Sequence, residues 1–153
     1  FDSDPDPYRL VGYEQAAGAG LVSFLSFATA AHVPVSPGEQ PGIVRVSYYT
    51  KAGTDGTFDL YRTQLPWMTA PDPVEGEAAA TCGGQLLCKG LTRFTAEYES
   101  QDSEGPLTRW DSDDEDTGFS TPARIRFRLR QGEENSSRVF VFTVSLMAQR
   151  RPI

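Results

Sequence analysis

The chain has 153 residues and a formal net charge of −7, from 21 acidic and 14 basic side chains. A chain of this length folds as one domain that buries about two-thirds of its unfolded surface, so we expect a single domain over residues 1–153. The acidic surplus leaves no continuous positive surface for phosphates, which argues against nucleic acid as a partner.

The first half of the chain shows strand patterns separated by turn-forming residues. Residues 21–31 (LVSFLSFATAA) have apolar side chains at both odd and even positions, which is typical of a strand covered on both faces. Residues 43–50 alternate between apolar and polar side chains, and a TDG turn leads into a second alternating run over residues 57–65. This pattern predicts a β-hairpin. Residues 68–85 contain prolines, glycines and acids, and we expect a long loop there.

The second half predicts three further strands. Residues 91–100 alternate between apolar and polar side chains, as in a half-buried strand. The middle of residues 138–147 has apolar side chains at both odd and even positions. Residues 124–130 (RIRFRLR) have a strict period of two, so their apolar side chains should face the core. The fold class predicted is mainly β, with about six or seven strands in antiparallel sheets.

The polar face of residues 124–130 carries four arginines, Arg124, Arg126, Arg128 and Arg130. Such a row commonly pairs with acids on a neighbouring strand, and Glu97 and Glu99 are the expected partners. The alternative is a docking surface for an acidic partner.

Cys82 and Cys88 are the only cysteines, and their spacing fits neither a redox C-x-x-C motif nor half of a zinc site. Gly83 and Gly84 allow the chain to turn back, so a local disulfide is expected and indicates an oxidising compartment. Two reduced, half-buried thiols are the alternative. The lone histidine, His32, is expected to be a polar residue at a strand end.

An acidic run begins at Asp111 and resembles the start of an EF-hand, because acids at alternate positions can wrap calcium. The match fails at Gly118, which comes two residues late, and at Pro122, which stands where a bidentate glutamate is needed. A solvated loop is the favoured interpretation. A looser calcium site is the alternative, and its candidate ligands are Asp111, Asp113 and Glu115.

The sequence offers no combination of residues typical of an enzyme. It has no G-x-S-x-G, Walker or H-E-x-x-H motif, and no acid is placed in an apolar stretch, so no activity is expected. Trp67 and Trp110 lie at predicted strand ends, where packing at the rim of the core is favoured over a sugar-stacking platform.

The order of these segments resembles that of the J-type minor pseudopilins of the type II secretion system. The resemblance covers about residues 10–146 and depends on the order and spacing of its motifs. They are RVSYY followed by LYR, then LLCKGLTRF, then a tryptophan before PARIRF.

The resemblance implies a periplasmic, pilin-like head whose membrane-spanning N-terminal helix precedes Phe1 and anchors the full-length protein in the inner membrane. The fold would be α+β and pilin-like when that helix is counted. It implies no reaction and no obligatory cofactor. The implied partners are the I- and K-type minor pseudopilins at the tip of the pseudopilus. A head without its helix should expose an apolar seam. The alternative function is a secreted β-sandwich module that binds carbohydrate or calcium.

Overall fold

The computed structural model describes residues 6, 8–17, 20–30, 42–66, 83–102, 105–132 and 135–146. Eight strands and one short 3₁₀ turn, Glu115–Thr117, make up its regular structure in those ranges. No helix in them is long and apolar enough to span a bilayer. The strands are β1 (Val11–Ala17), β2 (Gly20–Thr29), β3 (Val44–Ala52), β4 (Phe58–Pro66), β5 (Gln85–Glu99), β6 (Trp110–Asp111), β7 (Arg124–Gln131) and β8 (Arg138–Ser145).

The eight strands form one sheet in the order β6-β1-β2-β3-β4-β5-β7-β8, and each strand runs antiparallel to its neighbours. One additional pairing closes the sheet on itself, because Val22 of β2 lies beside Phe94 of β5 in parallel orientation. Strands β2 to β5 thereby form a small closed barrel. The pairs β1/β6 and β7/β8 extend from it.

The expectation of a pilin-like head with six or seven strands in antiparallel sheets is therefore wrong. The described residues form eight strands in one partly closed sheet, and no pilin-like helix packs on it. Two of the eight strands, β1 and β6, have no counterpart among the predicted segments. A second difference lies at β5, which runs for 15 residues and begins at the end of the segment expected to be loop. Its first part pairs with β4 and its second part with β7, so one strand serves two neighbours and also contacts β2.

The predicted hairpin is confirmed as β3 and β4, which pair from Val44 opposite Pro66 to Ala52 opposite Phe58. Its turn has Asp55 at φ 56° and Gly56 at φ 73°. These left-handed conformations match the twist of the flanking strands, which is why Asp-Gly is favoured in such turns.

The main core cluster lies where β2, β4, β5, β6 and β7 meet. Rings form much of it, with Tyr98 and Trp110 tilted against each other at 6.4 Å between centroids. Its buried members are Leu10, Leu25, Leu60, Leu91, Phe94, Ala96, Tyr98, Trp110, Ile125 and Phe127.

Gly12 is required by the position of Tyr98. A Cβ atom at residue 12 would overlap the hydroxyl oxygen of Tyr98, so any larger side chain would push β1 away from β5. The hydroxyl is buried and has no hydrogen-bond partner in the described structure. Burial, with a smaller contribution from the charge of Glu14, raises the pKa of Tyr98 well above its usual range.

Tyr98→Phe should raise the free energy of unfolding by about 1 kcal/mol, because it removes a polar group that is buried without a partner. Urea unfolding followed by fluorescence measures this change. Tyr8→Phe is the control, since Tyr8 is exposed and its hydroxyl is solvated. A loss of stability in Tyr98→Phe would mean that the hydroxyl has a bonding partner after all.

Candidate functional site

An apolar groove of about 380 Å³ runs along one face of the sheet. The register of β7 and β8 builds one wall, because Ile125 lies opposite Val144 and Phe127 opposite Phe142, so these side chains share a face. The lining residues are Leu10, Leu25, Phe27, Tyr48, Leu60, Leu87, Phe94, Ile125, Phe127, Leu129, Phe142, Val144 and Leu146.

A row of stacked rings connects the core with this groove. The centroids of Phe94 and Phe127 are 6.3 Å apart, and those of Phe127 and Phe142 are 4.9 Å apart. Exposure rises along the row, from 3% at Phe94 and 9% at Phe127 to 49% at Phe142. The groove thus opens to solvent at β8.

The other face of β5 and β7 carries the predicted arginine row, and its pairing with Glu97 and Glu99 is confirmed. Arg126 lies 3.2 Å from Glu99 and 4.0 Å from Glu97, measured between nitrogen and oxygen. The other two pairs are Arg124 with Glu99 at 3.8 Å and Arg128 with Glu97 at 3.6 Å. These half-exposed pairs contribute at most a few tenths of a kcal/mol each.

At the Arg130 end of this face, the arginines have no glutamate opposite them. Arg130 lies directly opposite Arg93, so two like charges face each other across β5 and β7. On this face five arginines accompany two glutamates: Arg93, Arg124, Arg126, Arg128 and Arg130 with Glu97 and Glu99. The face is cationic although the whole chain is acidic.

The acidic run holds a guanidinium group. Arg9 donates to both oxygens of Asp111, from Nε at 3.0 Å and from Nη2 at 2.7 Å, and its Nε lies 3.8 Å from Asp113. Burial alone would raise the pKa of Asp111, but hydrogen bonds from Arg9 and from the backbone of Asp113, with the charge of Arg9, outweigh it. The net effect is a pKa below the usual range of an aspartate.

The rest of the acidic run forms a local turn. Asp114 caps the 3₁₀ turn by accepting a hydrogen bond from the amide of Asp116 at 3.0 Å, and Glu115 stands in the first turn. Ser112 accepts a bond from the amide of Leu10 at 2.8 Å, which ties the run to the start of β1. Among the described residues, no three His, Cys, Asp or Glu side chains are grouped as metal ligands.

The remaining candidates have different outcomes. Trp110 is 2% exposed and donates from Nε1 to the carbonyl of Ser120 at 2.8 Å, so it is a core residue and presents no face to a sugar. Cys88 lies half-buried in β5, but Cys82 is outside the described residues, and their disulfide stays a prediction. His32 and Trp67 are also outside the described residues.

Sequence patterns did not locate the groove. β8 has apolar side chains at both odd and even positions, which is typical of a covered central strand. In the structure it forms an edge of the sheet, and all eight of its residues are exposed. The missing information was which strand lies at the edge. The period of two in β7 identified only half of the wall.

Comparisons with known proteins identified no relative of this chain. No protein-family model, curated protein or solved structure matches the chain.

Asp111→Asn should lower the free energy of unfolding by about 2 kcal/mol near pH 6, because the neutral amide loses charge-assisted hydrogen bonds from Arg9. The folded pKa of Asp111 lies below the unfolded value of about 3.9. Its stabilising contribution is therefore complete above about pH 5 and is lost as the pH falls through the folded pKa.

Urea unfolding of both proteins between about pH 6 and pH 2 measures the difference, which should shrink at the acidic end. Asp102→Asn is the control, because Asp102 is exposed. A difference that stays constant with pH would contradict the ionic role of Asp111.

Proposed function

We propose that this protein is a non-enzymatic assembly subunit that docks an apolar element of a partner in the groove between β2–β5 and β7/β8. The contiguous apolar groove is the observation that carries the proposal. The groove continues into the exposed apolar side chains of β8, and exposed apolar surface of this kind commonly marks an interaction site.

Three buried serines of the described structure support a scaffold role, because their hydroxyl groups connect strands. The hydroxyl of Ser47 donates to Ser26 at 2.9 Å, and both side chains are buried between β2 and β3. Ser23 accepts the amide of Ala96 across the barrel closure. Their bonding capacity is used within the fold.

In its finer form, the proposal is that the chain is a J-type minor pseudopilin of the type II secretion system. The resemblance of its segment order supports this, and so does the apolar seam expected of such a subunit. The pilin-like architecture is not part of the proposal. The partners would be the I- and K-type minor pseudopilins, and the full-length protein would be periplasmic and anchored in the inner membrane.

Leu87→Glu should prevent the chain from forming a complex with I- and K-type minor pseudopilins, because it places a charge in the groove. Leu87 is 45% exposed, so the substitution leaves the buried core intact. Leu107→Glu is the matched control, since Leu107 is 44% exposed and does not line the groove. Size-exclusion chromatography of the mixtures measures complex formation.

The expected result is a complex with the unchanged chain and with Leu107→Glu, and none with Leu87→Glu. No complex with the unchanged chain would refute the pseudopilin assignment. Equal loss in both variants would refute docking in the groove.

A further inference from the structure

β8 leaves one backbone edge without a strand beside it. All eight of its residues pair with β7, from Arg138 opposite Gln131 to Ser145 opposite Arg124, and β8 ends the strand order. Because backbone groups alternate between the two sides of an antiparallel strand, roughly four residues direct their N–H and C=O groups away from β7. In the described structure no strand accepts these bonds.

This edge lacks the features that usually prevent pairing. Edge strands are commonly protected by proline, lysine, an inward-pointing charge or a β-bulge. β8 (RVFVFTVS) has one charge, Arg138, at its first position, and its register with β7 is unbroken. Its large apolar side chains are 42–57% exposed. An exposed, regular and apolar edge is the type of surface to which an extended peptide adds as a further strand.

The two faces of β8 specify the chemistry of such a peptide. One face continues the apolar wall of the groove through Phe140, Phe142 and Val144. The other face carries Val139 and Val141 beside the arginine row of β7, and it ends in the short side chains Thr143 and Ser145.

Arg130, the β7 arginine that faces Arg93 instead of a glutamate on β5 and lies opposite Val139 of β8, can reach a strand added beyond β8. Adjacent strands lie about 4.8 Å apart, so an added strand would be about 10 Å from β7. A long arginine side chain covers most of that distance above the valines of β8, and a glutamate on the added strand covers the rest. The surplus of arginines over glutamates on this face therefore favours acidic side chains in the partner.

We propose that β8 accepts an extended segment of a partner protein in which apolar and acidic residues alternate, added to the sheet as a ninth strand. Its apolar side chains extend the groove face, and its acids meet the arginine row. This inference goes beyond the proposed function, because it depends on the backbone edge of β8 and the arginine row of β7, and not on the identity of the partner in the groove.

A labelled peptide of about ten residues that alternates valine and glutamate tests the proposal, because this length spans β8. One control peptide has lysine at each glutamate position. A second has N-methyl groups on two consecutive central residues, one on each edge, which blocks pairing and keeps the side chains. Fluorescence anisotropy measures affinity, and hydrogen exchange measures protection of the β8 amides.

The Val/Glu peptide should bind about tenfold more tightly than either control, as expected from a few exposed ion pairs and a backbone ladder. It should also slow exchange at β8. Arg130→Glu should reduce the affinity for the Val/Glu peptide several-fold. It should also reduce the ratio of the affinities for the glutamate and lysine peptides. That variant should stay folded, because it replaces one of two like charges facing across β5 and β7. Lys51→Glu carries the same charge change at an exposed position of β3 and should bind like the unchanged chain.

Four results would overturn the proposal. Absence of binding would refute strand addition at β8. Equal binding of the glutamate and lysine peptides would refute the preference for acidic side chains. Equal binding of the N-methylated peptide would show adsorption to an apolar surface without strand pairing. Dimerisation in sedimentation experiments that the Val/Glu peptide does not reverse would show that a second copy of the chain occupies the edge. If Leu87→Glu no longer forms the complex with minor pseudopilins but still binds the Val/Glu peptide, the groove and the β8 edge are two distinct binding sites.

Discussion

The structure depends on the contact between β2 and β5, which are 72 residues apart where Val22 meets Phe94. There the buried hydroxyl of Ser23 accepts the amide of Ala96 at 2.9 Å, so a backbone donor that the ladder leaves free is satisfied by a side chain. A buried amide without such a partner would cost about 1–3 kcal/mol. The closure fixes the direction of β5. Because β7 and β8 continue from β5, it also decides that their apolar face meets that of β2 to β4 and forms the groove.

The two faces of the β7/β8 extension have different properties. One is an apolar wall that continues the core outward through stacked rings, and the other is a row of arginines that the glutamates of β5 neutralise only in part. A surface of this kind supplies apolar burial from one side and charge selection from the other, which gives a partner both affinity and orientation. That combination is what the proposed docking of a partner would use.

Local patterns predicted the parts of the fold that local chemistry decides. The alternation over residues 124–130 places Ile125 and Phe127 in the core, and the Asp-Gly pair marks the hairpin turn. Pairing of the arginine row followed from the charges alone. Long-range contacts had no local signal: Arg9 and Asp111 are 102 residues apart, and the acidic run was therefore interpreted as a solvated loop or a loose calcium site.

The length of β5 was missed for a related reason. Glycine near a strand ordinarily marks its end, but Gly90 has φ 69° at an irregularity where β5 changes partner, and the strand continues on both sides. Closure of the barrel can be measured directly by NMR on the labelled protein. Cross-strand contacts between the backbone protons of Val22 and Phe94, with slow exchange of the Ala96 amide, are the expected result. Absence of those contacts and rapid exchange at Ala96 would contradict the closed barrel and the groove that depends on it.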